Sequence, residues 1–194
     1  MQTTFTRAAQ VAAIALLAAV VTQVIYIVIS NGGGTPPRDI IWSVEVILFV
    51  TTAIAGLALL PARPAIGAGI AVGGTLNTVQ AGMGLVMFGP LGEAGDALAP
   101  VFGAVLGMAF LLYFAAKIAL GVAAVAVAAS LWATKGLGKI IGALAGLTGL
   151  AAIAINTAAI FPATDLTFPA GAIGTVATAF LALALFVVKS PSTE

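Results

Sequence analysis

Six polar side chains stand inside runs of otherwise apolar sequence: Gln23, Glu45, Asn77, Gln80, Lys117 and Asn156. Glu45 and Lys117 are ionisable, and each charge near the centre of a bilayer costs roughly 2.5 to 3.5 kcal/mol on insertion scales. Two isolated charges would offset much of what their apolar neighbours contribute to insertion. They are expected to pair, to share a wet cavity, or to reach along their stems toward the outer interface. The carboxamides can cross-link helices, at about 0.6 to 2 kcal/mol per hydrogen bond, or contact a ligand. Gly73, Asn77, Gln80 and Gly84 follow the spacing i, i+4, i+7, i+11, which puts them on one face of a helix. That face is small at both ends and polar in the middle. It is of no use against lipid and is expected to be the face on which other helices pack.

The chemistry open to these residues is narrow, because the chain has neither cysteine nor histidine. Zinc centres, thiolate nucleophiles, disulfide relays, and haem or copper held by imidazole lose their usual ligands. A serine hydrolase needs a base beside its nucleophile, and no motif links the Ser and Lys residues here. Glu93 and Asp96, three apart, read as a solvated loop edge rather than a cation site. Gly67-x-Gly69-x-x-x-Gly73 has the wrong spacing for a nucleotide fingerprint and follows no strand. A buried lysine with a carboxylate partner meets the requirements of a Schiff-base pigment, but six spans with the lysine on the fourth do not match the seven-helix retinal proteins. No catalytic residue, metal or cofactor is expected.

The elements that position these residues follow from composition. The chain of 194 residues is 62% hydrophobic and 7% charged, with mean hydropathy +1.23. Soluble domains carry about a quarter charged residues, so the solvent here is a bilayer. Six apolar runs are long enough, at about 17 to 25 residues, to cross a hydrocarbon core of about 30 Å as helices. The period-two alternation of a transmembrane barrel is absent. The fold class is all-α: a single integral membrane domain with spans near 7–30, 40–60, 65–88, 107–133, 139–161 and 170–188. The first run is too long for a signal h-region and is expected to be retained.

The breaks are chemical. Three glycines and two prolines end span 1 in residues 31–38, with Asp39 placed to cap span 2 and Trp42 as an interfacial anchor. The turn Pro61-Ala62-Arg63-Pro64 is short enough to force spans 2 and 3 into an antiparallel hairpin. Gly89-Pro90 is expected to stop span 3, followed over residues 91–100 by a short interfacial or partly re-entrant helix. Residues 101–133 contain no turn former around Lys117, so one long tilted helix is expected, with Gly103 and Gly107 letting its first turns bend.

Charge placement tests the count. With a cytoplasmic N-terminus, Arg7, Arg63, Lys135, Lys139 and Lys189 lie inside and only Arg38 lies outside, as the positive-inside rule asks. A seventh crossing at Lys117 would destroy that agreement. Both termini are therefore assigned to the cytoplasm. Leu76-Asn77-Thr78 recurs as Ile155-Asn156-Thr157, but on the third helix of one half and the second of the other, so the match does not respect a three-plus-three repeat.

On this topology Gln23, Tyr26, Glu45, Asn77, Gln80, Lys117 and Asn156 gather in the middle to outer parts of their spans, while the inner halves are almost wholly apolar. The expected function is binding or passage of a small neutral, zwitterionic or amphipathic solute in an outward-facing polar cavity lined by Gln23, Glu45, Asn77, Gln80, Lys117 and Asn156. The alternative is a non-catalytic accessory subunit, or homo-oligomer, whose glycine-rich faces pack against a membrane partner. A net charge of +1 gives no reason to expect nucleic acid. The abundance of Ala and Gly suggests a bacterial inner membrane.

Overall fold

In the computed structural model, which describes residues 2–161 and 163–189, the protein is all-helical, with no strand among the described residues. Among the described residues, six helices are long and apolar enough to cross a membrane. They are α1 (Gln2–Asn31), α2 (Arg38–Leu59), α3 (Pro64–Met83, prolonged by a wider turn), α5 (Ala99–Leu131), α6 (Leu137–Ala159) and α7 (Thr167–Val187), with the one-turn α4 (Gly89–Glu93) between the third and fourth.

Helix α1 packs on α2 and α7, α2 on α3, α3 on α5, and α5 on α7. The five close a ring, and α6 lies outside it against α5 and α7. One end of the bundle carries Arg7, Arg63, Lys135, Lys139 and Lys189. Arg63 donates from Nη2 to the Lys189 carbonyl at 3.4 Å, which fixes the α2–α3 turn and the end of α7 on the same side. On the positive-inside expectation this is called the cytoplasmic end. Residues 190–194 at the C-terminus, assigned to the same side by sequence, lie outside the described residues.

The cytoplasmic half of the ring is filled by small and branched apolar groups, among them Ala12, Leu16, Ile70, Leu120, Val127 and Leu181, all essentially inaccessible. Backbones approach closely where glycine permits. A Cβ on Gly74 would come 2.7 Å from the Ala53 nitrogen across the α2–α3 crossing. Gly121 and Gly149 face each other across α5 and α6, each with its would-be Cβ 2.8 Å from the other's carbonyl oxygen. With no hydrophobic driving force between helices in lipid, such close packing is a main source of association.

Several local expectations are corrected. Gly89-Pro90 does not stop span 3. The helix instead widens into a π-turn over Gly84–Phe88, and Pro90 enters the first turn of α4. Proline lacks an N–H and its ring collides with the carbonyl four residues back, so a widened turn just before it relieves both problems. Asp39 is not a cap: Pro37 holds that position with no side-chain bond, and Asp39 sits in the first turn of α2, where its charge complements the helix dipole. Of the two forms expected after Pro90, the surface one is found and the re-entrant one is not: the segment runs with nearly every residue exposed, as α4 and a 3-10 turn (Gly95–Leu98). The run through Lys117 is one helix as expected, over residues 99–131, 33 residues long. At 1.5 Å per residue it is about 50 Å long, and α4 packs on it.

Candidate functional site

The site is assembled around Lys117, at the middle of α5 and fully buried. Its aliphatic stem lies across Gly174 of α7. From there the ammonium reaches Gln23 Oε1 of α1 and Thr178 Oγ1 of α7, both at 3.5 Å, and stands 5.0 Å from the ring centre of Tyr113, one turn back on its own helix. Charge-assisted N–H···O bonds usually measure about 2.7 to 2.9 Å. An ammonium with three protons and, among the described residues, two distant oxygens is therefore under-coordinated.

The oxygens around it are oriented by their own helices. Thr178 donates to the Gly174 carbonyl at 2.7 Å, which leaves its lone pairs for Lys117. Thr175, one turn toward the outer end, lies 3.0 Å from Gln23 Oε1 and 2.9 Å from the Gly171 carbonyl, so its single proton serves one or the other. Tyr113 donates to the same Gly171 carbonyl at 3.4 Å. Gln23 Oε1 is thus shared between α5 and α7, while its amide group makes no hydrogen bond among the described residues.

Glu45 of α2 is 6% exposed and accepts a bond from Thr22 Oγ1 of α1 at 2.9 Å. Thr22 precedes Gln23, so the carboxylate is one residue step along α1 from the lysine's partner. No ion-pair contact joins the two groups among the described residues. Glu45 and Lys117 thus share one polar centre without closing it.

Asn77 and Asn156 play a different part. Each is fully buried, and each donates from Nδ2 to the carbonyl four residues back, Gly73 and Ala152, at 2.9 Å. In both, Oδ1 is buried without a hydrogen-bond partner among the described residues. Asn156 also reaches the Ala170 carbonyl at 3.3 Å, tying α6 to the start of α7 outside the five-helix ring. Asn77 stays on α3 one turn beyond Gly73, which packs on Leu120 of α5. Gln80, half-buried, makes no side-chain hydrogen bond among the described residues. Gln23, Glu45 and Lys117 are therefore brought together, Asn77 lies inside the ring without bonding to them, and Asn156 belongs to a separate contact.

Thr22, Tyr113, Thr175 and Thr178 complete the centre and were not singled out from sequence. Tyr113 precedes Lys117 by four residues, and Gly171, Gly174, Thr175 and Thr178 form a small and polar stripe on α7 like that on α3. Those spacings are the signal that would have found them.

On the outer side a row of aromatic rings crosses four helices. Tyr26 of α1 stacks on Trp42 of α2 at 6.3 Å, Trp42 meets Phe88 edge-on at 5.7 Å, and Phe88 meets Phe102 of α5 at 5.7 Å. Arg38 stands 5.8 Å above the Trp42 ring, and Trp42 lies against Gly84, whose added Cβ would be 3.1 Å from it. Tyr26 is three residues outward from Gln23, and Trp42 three outward from Glu45. The rings therefore stand between the polar centre and the outer surface.

The chain matches no family model, no curated protein and no solved structure, so only the geometry bears on its function.

Proposed function

We propose that the protein binds, and passes across the membrane, a small solute that engages Lys117 and Gln23 at the polar centre, with entry from the outer side past Tyr26, Trp42 and Phe88. The observation that carries this reading is the fully buried ammonium whose two oxygen partners both stand at 3.5 Å. Ionisable groups in membrane helices are expensive and mark binding sites or pathways more often than scaffolding. A solute with a carbonyl or carboxylate oxygen for Lys117 and a donor for Glu45 fits, which makes the class neutral, zwitterionic or amphipathic. Catalysis forms no part of the proposal, and the membrane proposed is a bacterial inner membrane. The test is native mass spectrometry of protein gently extracted from its membrane. The wild type is expected to carry a small molecule that Lys117→Met and Gln23→Ala lose, and an identical complement in all three would defeat the proposal.

One observation favours a second reading, that of a subunit with a membrane partner. Most glycines of the spans are used inside the bundle, but Gly103 and Gly107 of α5 have nothing within 4 Å of a would-be Cβ. Such a small-x-x-x-small face suits a further helix. Co-purification of a stoichiometric protein would support that reading, and a homogeneous single chain with bound solute would support the first.

A further inference from the structure

A groove of about 400 Å³ lies on the lipid-facing side between α1 and α2, far from the polar centre, lined by Thr4, Arg7, Ala8, Val11, Thr51, Ile54, Ala55 and Ala58. Its chemistry is graded. Buried Ala8 and Ala55 make a smooth floor, Val11 and the well-exposed Ile54 form apolar walls toward the membrane centre, and Arg7 and Thr4 stand at the cytoplasmic end. Arg7 makes no hydrogen bond or ion pair among the described residues.

The surroundings sharpen the point. Of the charged residues described at the cytoplasmic end, Arg7, Arg63, Lys135, Lys139 and Lys189 are cations and none is a carboxylate, since Asp39, Glu93, Asp96 and Asp165 lie at the other end. A guanidinium with no counter-charge among the described residues, at the end of a span and above an apolar slot, is complementary to one occupant. We infer that this groove is a binding site for an anionic phospholipid of the cytoplasmic leaflet, with the phosphate on Arg7 and Thr4 and an acyl chain along Ala8, Val11, Ile54 and Ala55.

The planar fork of arginine matches two phosphate oxygens at once, which distinguishes Arg7 from a diffuse lysine patch. The alanine floor matters because an acyl chain lies flat on methyl groups, whereas a larger side chain would occupy its place. The site lies on the opposite leaflet from the proposed solute entry, so it stands whether or not the solute reading holds.

The experiment uses the full chain in detergent with added phosphatidylglycerol or phosphatidylcholine of equal chain length, read by native mass spectrometry. The wild type is expected to retain phosphatidylglycerol preferentially. Arg7→Gln should lose about fivefold of that preference, the effect of one cation near an anionic surface, while still holding phosphatidylcholine. Ala58→Phe, at an exposed position, fills the slot without touching the core and should lower retention of both lipids. Lys139→Gln, at the same end but outside the groove, should leave the preference unchanged. If Arg7→Gln keeps the preference, or Lys139→Gln lowers it equally, attraction is diffuse and the site is refuted. A folded Ala58→Phe protein with undiminished retention refutes the acyl slot.

Discussion

Lys117 has room in the interior because residue 174 has no side chain: a Cβ there would stand 2.7 Å from Lys117 Cγ and 2.9 Å from its Cδ. The ammonium is placed against Gln23 and Thr178 by this contact as much as by its hydrogen bonds. Gly174→Ala should cost about 1 to 3 kcal/mol, the usual penalty of overpacking. The cost should shrink when Lys117 is also cut back to Ala, because the colliding atoms are then gone. Unfolding in mixed micelles over the double-mutant cycle is expected to show a coupling of about 0.5 to 3 kcal/mol. Strict additivity would mean that the stem moves aside freely.

Lys117→Met keeps the length of the side chain and removes the charge. A buried charge with poor coordination and no ion-pair contact contributes little to stability, because its desolvation, about several kcal/mol per ion, is not offset by good hydrogen bonds. The variant is expected to melt at or above the wild-type temperature. A loss of more than about 2 kcal/mol would instead make Lys117 a structural residue, because that size marks a broken buried network.

The number of spans and the gathering of five cations at one end were legible because hydropathy and charge at alternate turns are properties of composition along the chain. That Gly73 lies on a packing face followed from its spacing as well, but its partner, Leu120 of α5, did not. The π-turn before Pro90 was not legible, since proline signals a problem for the helix without saying whether the chain stops or widens. Nor could sequence separate Asn156 from the polar centre. It sits at a depth like that of its counterparts, and only the exclusion of α6 from the five-helix ring sets it apart. The four residues missed around Lys117 are mostly threonines, which in membrane helices bond their own backbone so often that a lone one carries no signal.

The glycine faces divide by partner. Gly149→Val would drive its side chain into the Gly121 carbonyl and the Ala124 methyl, with no flexible group to yield. It should cost about 3 kcal/mol and loosen α6, read as new proteolytic cleavage in the loop at residues 132–136. Gly103→Leu, where nothing lies within 4 Å, should leave stability within about 0.5 kcal/mol, as surface changes usually do. Equal sensitivity at both positions would mean that the face of α5 at Gly103 is covered in the membrane.

Trp42 joins the aromatic row at its centre, touching Tyr26 on one side and Phe88 on the other. Each ring contact is worth about 0.5 to 1.5 kcal/mol beyond area burial. Removing both with Trp42→Ala should therefore raise the population of open forms by about fivefold or more. Because the chain has no cysteine, a single Gln23→Cys reports on access without background labelling. Its reaction with a small water-soluble thiol reagent added from outside should quicken by that factor when Trp42 is Ala. Trp132→Ala, at the cytoplasmic end beside Lys139, should leave the rate alone. Unchanged labelling in the Trp42 variant would mean that the rings do not bar the way to the polar centre, and that solute would have to reach Lys117 from between the helices.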